Sequence, residues 1–149
     1  MASRHGLQIR AAVAADAPGL AELMASAGQA IGTSVLAARL DALRQERGTA
    51  LLALEWGPPS GIIVLHWMRT LVADHPVAEI STLLVAPEDR RRGIGRLLLK
   101  AGAQAARSAG CDELNLFACP DQPALRQFCI ANGFDVAGQR FSRPLRKKA

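Results

Sequence analysis

The segment Ala86-Pro-Glu-Asp-Arg-Arg-Arg-Gly-Ile-Gly-Arg-Leu-Leu-Leu-Lys100 sets three arginines against two glycines where an apolar helix begins. Like charges repel, and each glycine inside a helix costs about 1 kcal/mol relative to alanine. A phosphate cradle would explain both costs. A helix N-terminus offers free backbone N–H groups and the positive end of its dipole. Gly93 and Gly95 would let a ligand approach that backbone closely, and the arginines would add charge-assisted contacts to the same anion. The alternative is a loop that caps its helix with glycine and leaves the arginines in water. The residues alone leave both readings open. The spacing is not a P-loop, because no Gly-Lys-Ser/Thr follows. It is not a dinucleotide fingerprint either, because Leu98 stands at the third glycine position.

Outward from this segment, apolar periodicity predicts a chain of short elements. After it, Ile94, Leu97, Leu98, Ala101 and Ala105 form one helical face, with Lys100, Gln104 and Arg107 opposite, until Gly110. Residues 113–118 read as a strand. A helix behind Pro123 ends near Asn132-Gly133, and residues 134–136 and 139–142 read as a terminal hairpin. Before it, residues 78–85 and 62–72 read as strands around an Asp74-His75-Pro76 turn, and residues 50–56 as another strand. Earlier still, residues 7–13 suggest a strand and Asp16 a helix N-cap ahead of Leu20, Leu23 and Met24. Thr33 or Ser34 would cap a second helix carrying Val35, Leu36, Leu40 and Leu43 on one side. The order β-α-α-β-β-β-α-β-α-β-β implies an α/β fold with a mixed sheet.

With 149 residues, half of them hydrophobic, a single domain spanning 1–149 with a basic tail at 146–149 is expected. No apolar run reaches the ~20 residues of a membrane span, and the first residues show no signal-peptide core. Cysteines at 111, 119 and 129 form no close metal-ligand pair, and their odd number argues against a disulfide framework. A reducing cytoplasm, no metal and no membrane partner are the expectations. The net charge is +5, but much of the excess lies in Arg90, Arg91 and Arg92 and in Arg143, Arg146, Lys147 and Lys148. Aromatic residues are few and tyrosine is absent, which disfavours a base-stacking nucleic-acid surface.

Arg90-x-x-Gly93-x-Gly95, behind Leu83-Leu84-Val85 and ahead of an apolar helix, resembles the acetyl-CoA motif of the GNAT N-acetyltransferases. The stretch from Ala124 to Phe134 resembles the later helix of that family, which typically ends in Phe-Tyr-x-x-x-Gly-Phe. The resemblance covers nearly the whole chain in element order and is specific over residues 79–134. It implies a central, mostly antiparallel mixed sheet flanked by helices, with strands splayed at the acetyl-CoA site. Arg90, Arg91, Arg92, Gly93, Ile94, Gly95 and Arg96 would hold the pyrophosphate of acetyl-CoA. The backbone of Leu83, Leu84 and Val85 would hydrogen-bond the pantetheine arm, with an amide near Leu83 or Leu84 facing the thioester carbonyl. Gln122, near the family's frequent asparagine, would touch the same arm.

A primary amine titrates near pH 10 and must shed a proton before it attacks. Glu79, eleven residues before Arg90, resembles the basic glutamate of the histone acetyltransferase branch and is the first candidate base. His66, alternating with apolar neighbours, and His75, in a turn, are the alternatives. Cys129 occupies the position of the family's tyrosine, which would protonate the departing thiolate. The expected activity is direct acetyl transfer to the amine of a small molecule. A protein or peptide acetyltransferase, or a catalytically weak acyl-CoA-binding module, is the alternative. Self-association into a homodimer is left open.

Overall fold

The computed structural model describes residues 6–90 and 92–146. Arg91 and the tail residues 147–149 lie outside it. The chain divides into two compact units, one ending at Leu116 and one beginning at Phe117.

The first unit is a five-stranded sheet in the order β1 (Gln8–Ala11), β2 (Gly48–Leu54), β3 (Gly61–Met68), β4 (Val77–Val85) and β5 (Glu113–Leu116). The first four strands pair antiparallel and β5 pairs parallel to β4, so the sheet is mixed and mostly antiparallel as expected. Helices α1 (Ala17–Ser26) and α2 (Thr33–Gln45) join β1 to β2, and α3 (Ile94–Ser108) joins β4 to β5. The apolar run of β3 is explained by burial on both faces, since successive strand residues point to opposite sides. Ile62 and Val64 pack with Leu52 of β2, Leu20 and Leu23 of α1 and Leu36 and Leu40 of α2. On the other face, Ile63 and Leu65 lie so close to Gly102 of α3 that a Cβ there would stand 3.0–3.1 Å from them. A side chain at Gly61 would meet the carbonyl oxygen of Leu84 at 2.8 Å and Leu98 of α3 at 2.9 Å. Gly61 thus lets the start of α3 close over β3 and β4.

Asp16 stands at the N-cap of α1, but its carboxylate does not bond that helix. It accepts N–H groups from Arg10 at 2.8 and 2.7 Å and from the Val13 backbone at 2.8 Å, tying β1 to the turn ahead of α1. These bonds, Arg10 first, hold its carboxyl below the usual range. Because the folded-state pKa is lowered, the stabilisation is present at neutral pH and is lost as pH falls through that pKa. Asp16→Asn should therefore cost about 1 kcal/mol at pH 7, partly screened because Arg10 is exposed. Thermal melts should show a loss of roughly 2–4 °C that shrinks in acid.

Three expectations are corrected. Helix α2 is capped by Gly32 without a side-chain bond, and Val35 is exposed while Leu36 and Leu40 are buried. Strand β3 stops at Met68, where pairing to Val77 ends, and residues 69–76 form an exposed loop down to the buried Pro76. The terminal hairpin is not formed: the described residues after α4 (Pro123–Ala131) have no regular secondary structure. Val136, Phe141 and Leu145 are exposed there and Gly138 takes a left-handed φ of 82°. A two-stranded ribbon without an apolar face to bury is marginal in water.

Candidate cofactor and acceptor site

β4 carries the site. It pairs with β3 along its whole length but with β5 only from Val77↔Glu113 to Ile80↔Leu116. Among the described residues, no strand pairs with Ser81–Val85 on that side. This segment therefore presents a sheet edge, whose backbone N–H and C=O groups suit an extended amide-bearing ligand. The same residue marks an irregularity in the β3–β4 ladder. Val64 faces Thr82 and Leu65 faces Ile80, so Ser81 is an extra, unopposed residue, a β-bulge.

The chain leaves β4 through the 3₁₀ turn Pro87–Asp89 and enters α3 at Gly93. Gly93 has φ 79° and ψ 13°, a left-handed conformation that an ordinary side chain would strain. The first helical bond runs from the Leu97 N–H to the Gly93 carbonyl at 3.1 Å. The N–H groups of Ile94, Gly95 and Arg96 thus have no partner inside the helix, and no side chain caps it. Ile94 is buried at 1% exposure, so it contributes its backbone only. An αL glycine before an uncapped helix, one short turn beyond an open strand edge, fits a ligand with an amide arm and a phosphate end.

The acetyltransferase (GNAT) family model matches residues 22–134, through β4, the Gly93 turn and α4. The chain belongs to the GNAT acetyltransferase family. A mycothiol acetyltransferase of Clavibacter sepedonicus is 30% identical over 91% of this chain and 52% of its own length. The chain therefore spans about half the length of that curated relative. A protein of Agrobacterium tumefaciens assigned to the acetyltransferases is 28% identical, with a TM-score of 0.81 over 92% of this chain and 99% of that one. An aminoglycoside N-acetyltransferase solved with CoA has a TM-score of 0.81 at 18% identity, over 94% and 95% of the two chains. That last likeness is one of fold.

On this GNAT frame the expected site residues are placed as follows. Leu83, Leu84 and Val85 lie half-buried on the open part of β4, opposite Ile63, Ile62 and Gly61. Arg90 and Arg96 are exposed on either side of Gly93. Arg91 lies outside the described residues. The Arg92 guanidinium pairs with Asp89 at 2.6 Å and Glu55 at 2.7 Å. These carboxylates, Asp89 first, raise its pKa. Arg92 thus ties the turn to the end of β2 while remaining partly exposed. Glu55 was not singled out from the sequence, because a contact across 37 residues leaves no local pattern.

Glu79 lies half-buried directly opposite His66 in the β3–β4 pair, so the two side chains share one face of the sheet. His66 Nε2 lies 2.7 Å from Ser81 Oγ. Ser81 is the other residue that the sequence reading passed over. Its signal was a hydroxyl inside the apolar run of β4, two residues after Glu79 and hence on the same face. His75 sits in the exposed loop ahead of β4.

In the second unit, Gln122 forms the N-cap of α4, and its side-chain oxygen accepts the Cys119 backbone N–H at 3.0 Å. Cys129 is buried in the same helix, and burial pushes its thiol up. Among the described residues, no cluster of metal-ligating side chains occurs, and no helix is long and apolar enough to cross a membrane.

Proposed function

We propose that the protein is an acetyl-CoA-dependent N-acetyltransferase acting on the amine of a small molecule. The observation that carries this reading is the open edge of β4 running into the uncapped, glycine-led start of α3, in a chain of the GNAT family. The small-molecule acceptor is favoured by the kind of relative found: a mycothiol acetyltransferase in sequence and an aminoglycoside N-acetyltransferase in fold. A panel of aminoglycosides, amino sugars and peptides, incubated with acetyl-CoA and read by mass spectrometry, tests it. Mono-acetylated small molecules are expected. Acetylation confined to peptides would move the assignment to a protein acetyltransferase.

When bound, acetyl-CoA supplies an activated thioester. The backbone of Leu83, Leu84 and Val85 would hold its amide arm in strand fashion. The N–H of Leu83, which faces away from β3, would donate to the carbonyl oxygen, where negative charge develops as an amine attacks. A fixed donor of this kind is worth about 3 kcal/mol. The backbone N–H groups of Ile94, Gly95 and Arg96, with the guanidinium groups of Arg90 and Arg96, take the phosphates. Within the second unit, the Gln122 side-chain oxygen closes the turn to Cys119. Glu79 supplies the negative charge that draws the proton from the amine.

The acetyl group passes directly to the amine, without an acetyl-cysteine. Only a thiolate is an effective nucleophile, and burial of Cys129 holds its thiol in the protonated form at neutral pH. Intact-mass measurement after rapid mixing with acetyl-CoA alone should show no acetyl adduct. Cys129→Ala should slow turnover only a few-fold. An adduct that maps to Cys129 and passes to added amine at the turnover rate would replace direct transfer by a two-step mechanism.

A further inference from the structure

Three features of the first unit coincide at one residue. Ser81 is the extra residue of the β3–β4 bulge, it is the first residue of β4 beyond the pairing to β5, and its hydroxyl is bonded to His66. We propose that Ser81 and His66 form a proton relay that carries the amine's proton away from the acetyl-transfer site, with Glu79 holding the countercharge. This rests on the reading of the protein as an amine acetyltransferase and adds the path of the proton to it.

The burial sets the direction of the relay. Ser81 is exposed, whereas His66 and Glu79 are half-buried. The hydroxyl is thus the end that an acceptor amine meets, and the imidazole is the end set back in the sheet. Along β4, Ser81 stands two residues before Leu83, about 7 Å at the rise of a strand. That is the reach of an amine placed against a thioester carbonyl at Leu83 or Leu84. Without the bulge, the ladder would have no extra residue here, and every β4 side chain before Thr82 would move to the other face of the sheet.

The chemistry balances without any further reactant. In the tautomer protonated on Nδ1, His66 Nε2 accepts from the Ser81 hydroxyl. As the lone pair of the neutral amine forms its bond to the acetyl carbon, the carbonyl π pair moves onto oxygen and returns as the C–S bond breaks and the coenzyme A thiolate leaves; the amine's N–H bond breaks and an O–H bond forms on Ser81. The original Ser81 O–H bond breaks, and an N–H bond forms on Nε2. His66 ends as an imidazolium directly opposite the Glu79 carboxylate; opposed residues of an antiparallel pair hold their Cβ atoms about 4.5–5.5 Å apart. Here Ser81 and His66 act on the reacting proton, and Glu79 stabilises the charge they acquire.

The test uses single-turnover rates of acetyl transfer in mixtures of light and heavy water, for the wild-type protein and for Ser81→Ala, Ser81→Thr and His66→Gln. Two protons move together in the relay, so the wild-type rate should fall along a curved line with deuterium fraction. Ser81→Ala should slow transfer roughly 10–100-fold and straighten that line, while acetyl-CoA affinity stays unchanged. Ser81→Thr, which keeps the hydroxyl, should restore most of the rate. His66→Gln should lose at least as much as Ser81→Ala. A wild-type rate in Ser81→Ala, or a straight line in the wild-type protein that His66→Gln leaves unaltered, overturns the relay while leaving the acetyltransferase intact. Absence of any amine-dependent transfer by the wild-type protein overturns both.

Discussion

Replacing Gly93 by valine should weaken acetyl-CoA binding by at least ~10-fold in a calorimetric titration. Two effects act in the same direction. Gly93 has a φ of 79°, and a residue with a Cβ is strained there by about 1–2 kcal/mol, more when the side chain is β-branched. Relief of that strain would rotate the first peptide of α3 and turn the N–H groups of Ile94 and Gly95 away from the phosphates. The valine side chain would also stand where the pyrophosphate approaches the backbone. Loss of Arg90 is a different change, because it removes one charge-assisted contact worth ~1.5–3 kcal/mol and leaves the backbone cradle in place. The comparison separates the two contributions. Gly93→Ala should fall between the wild type and valine. A Gly93→Val protein that melts normally and binds acetyl-CoA as tightly as wild type would put the cradle elsewhere.

Glu79→Gln should lower the rate of amine acetylation ~10²-fold at neutral pH and leave acetyl-CoA affinity unchanged. The substitution keeps the shape of the side chain and removes its charge and basicity. The effect should shrink as pH rises toward 10, because a growing share of the amine then arrives already neutral. The measurement is kcat/KM for the amine against pH in both proteins. A Glu79→Gln profile that parallels the wild-type profile at every pH would show that the proton transfer does not draw on the charge of Glu79. The placement of Glu79 makes a large effect physically reasonable: it is half-buried, and it shares a sheet face with His66.

The fold was legible where local chemistry determines it. The glycines at 93 and 95, followed by apolar residues at helical spacing, marked the start of α3 near Gly93, and the apolar residues of β4 marked its end at Val85. What stayed hidden was contact between distant residues. Arg92 looked like one of three equivalent phosphate ligands, and only the fold brings Glu55 beneath it. Ser81 was not singled out from the sequence. The register slip that makes it a bulge, and the histidine fifteen residues earlier that it bonds, follow from strand pairing rather than composition. The terminal hairpin failed for the opposite reason. Its alternation suited strands, but Val136, Phe141 and Leu145 are left in water.

The central claim is that acetyl-CoA lies along the open edge of β4 with its phosphates at the start of α3. Residue-resolved amide hydrogen exchange of the whole protein, with and without coenzyme A, reads those positions directly. Bound coenzyme A should slow exchange at Leu83 and Val85, whose N–H groups face away from β3, and at Ile94, Gly95 and Arg96, and should leave β1 and β2 unchanged. Saturating coenzyme A that protects other amides and leaves both of these groups exchanging as in the free protein would contradict the account.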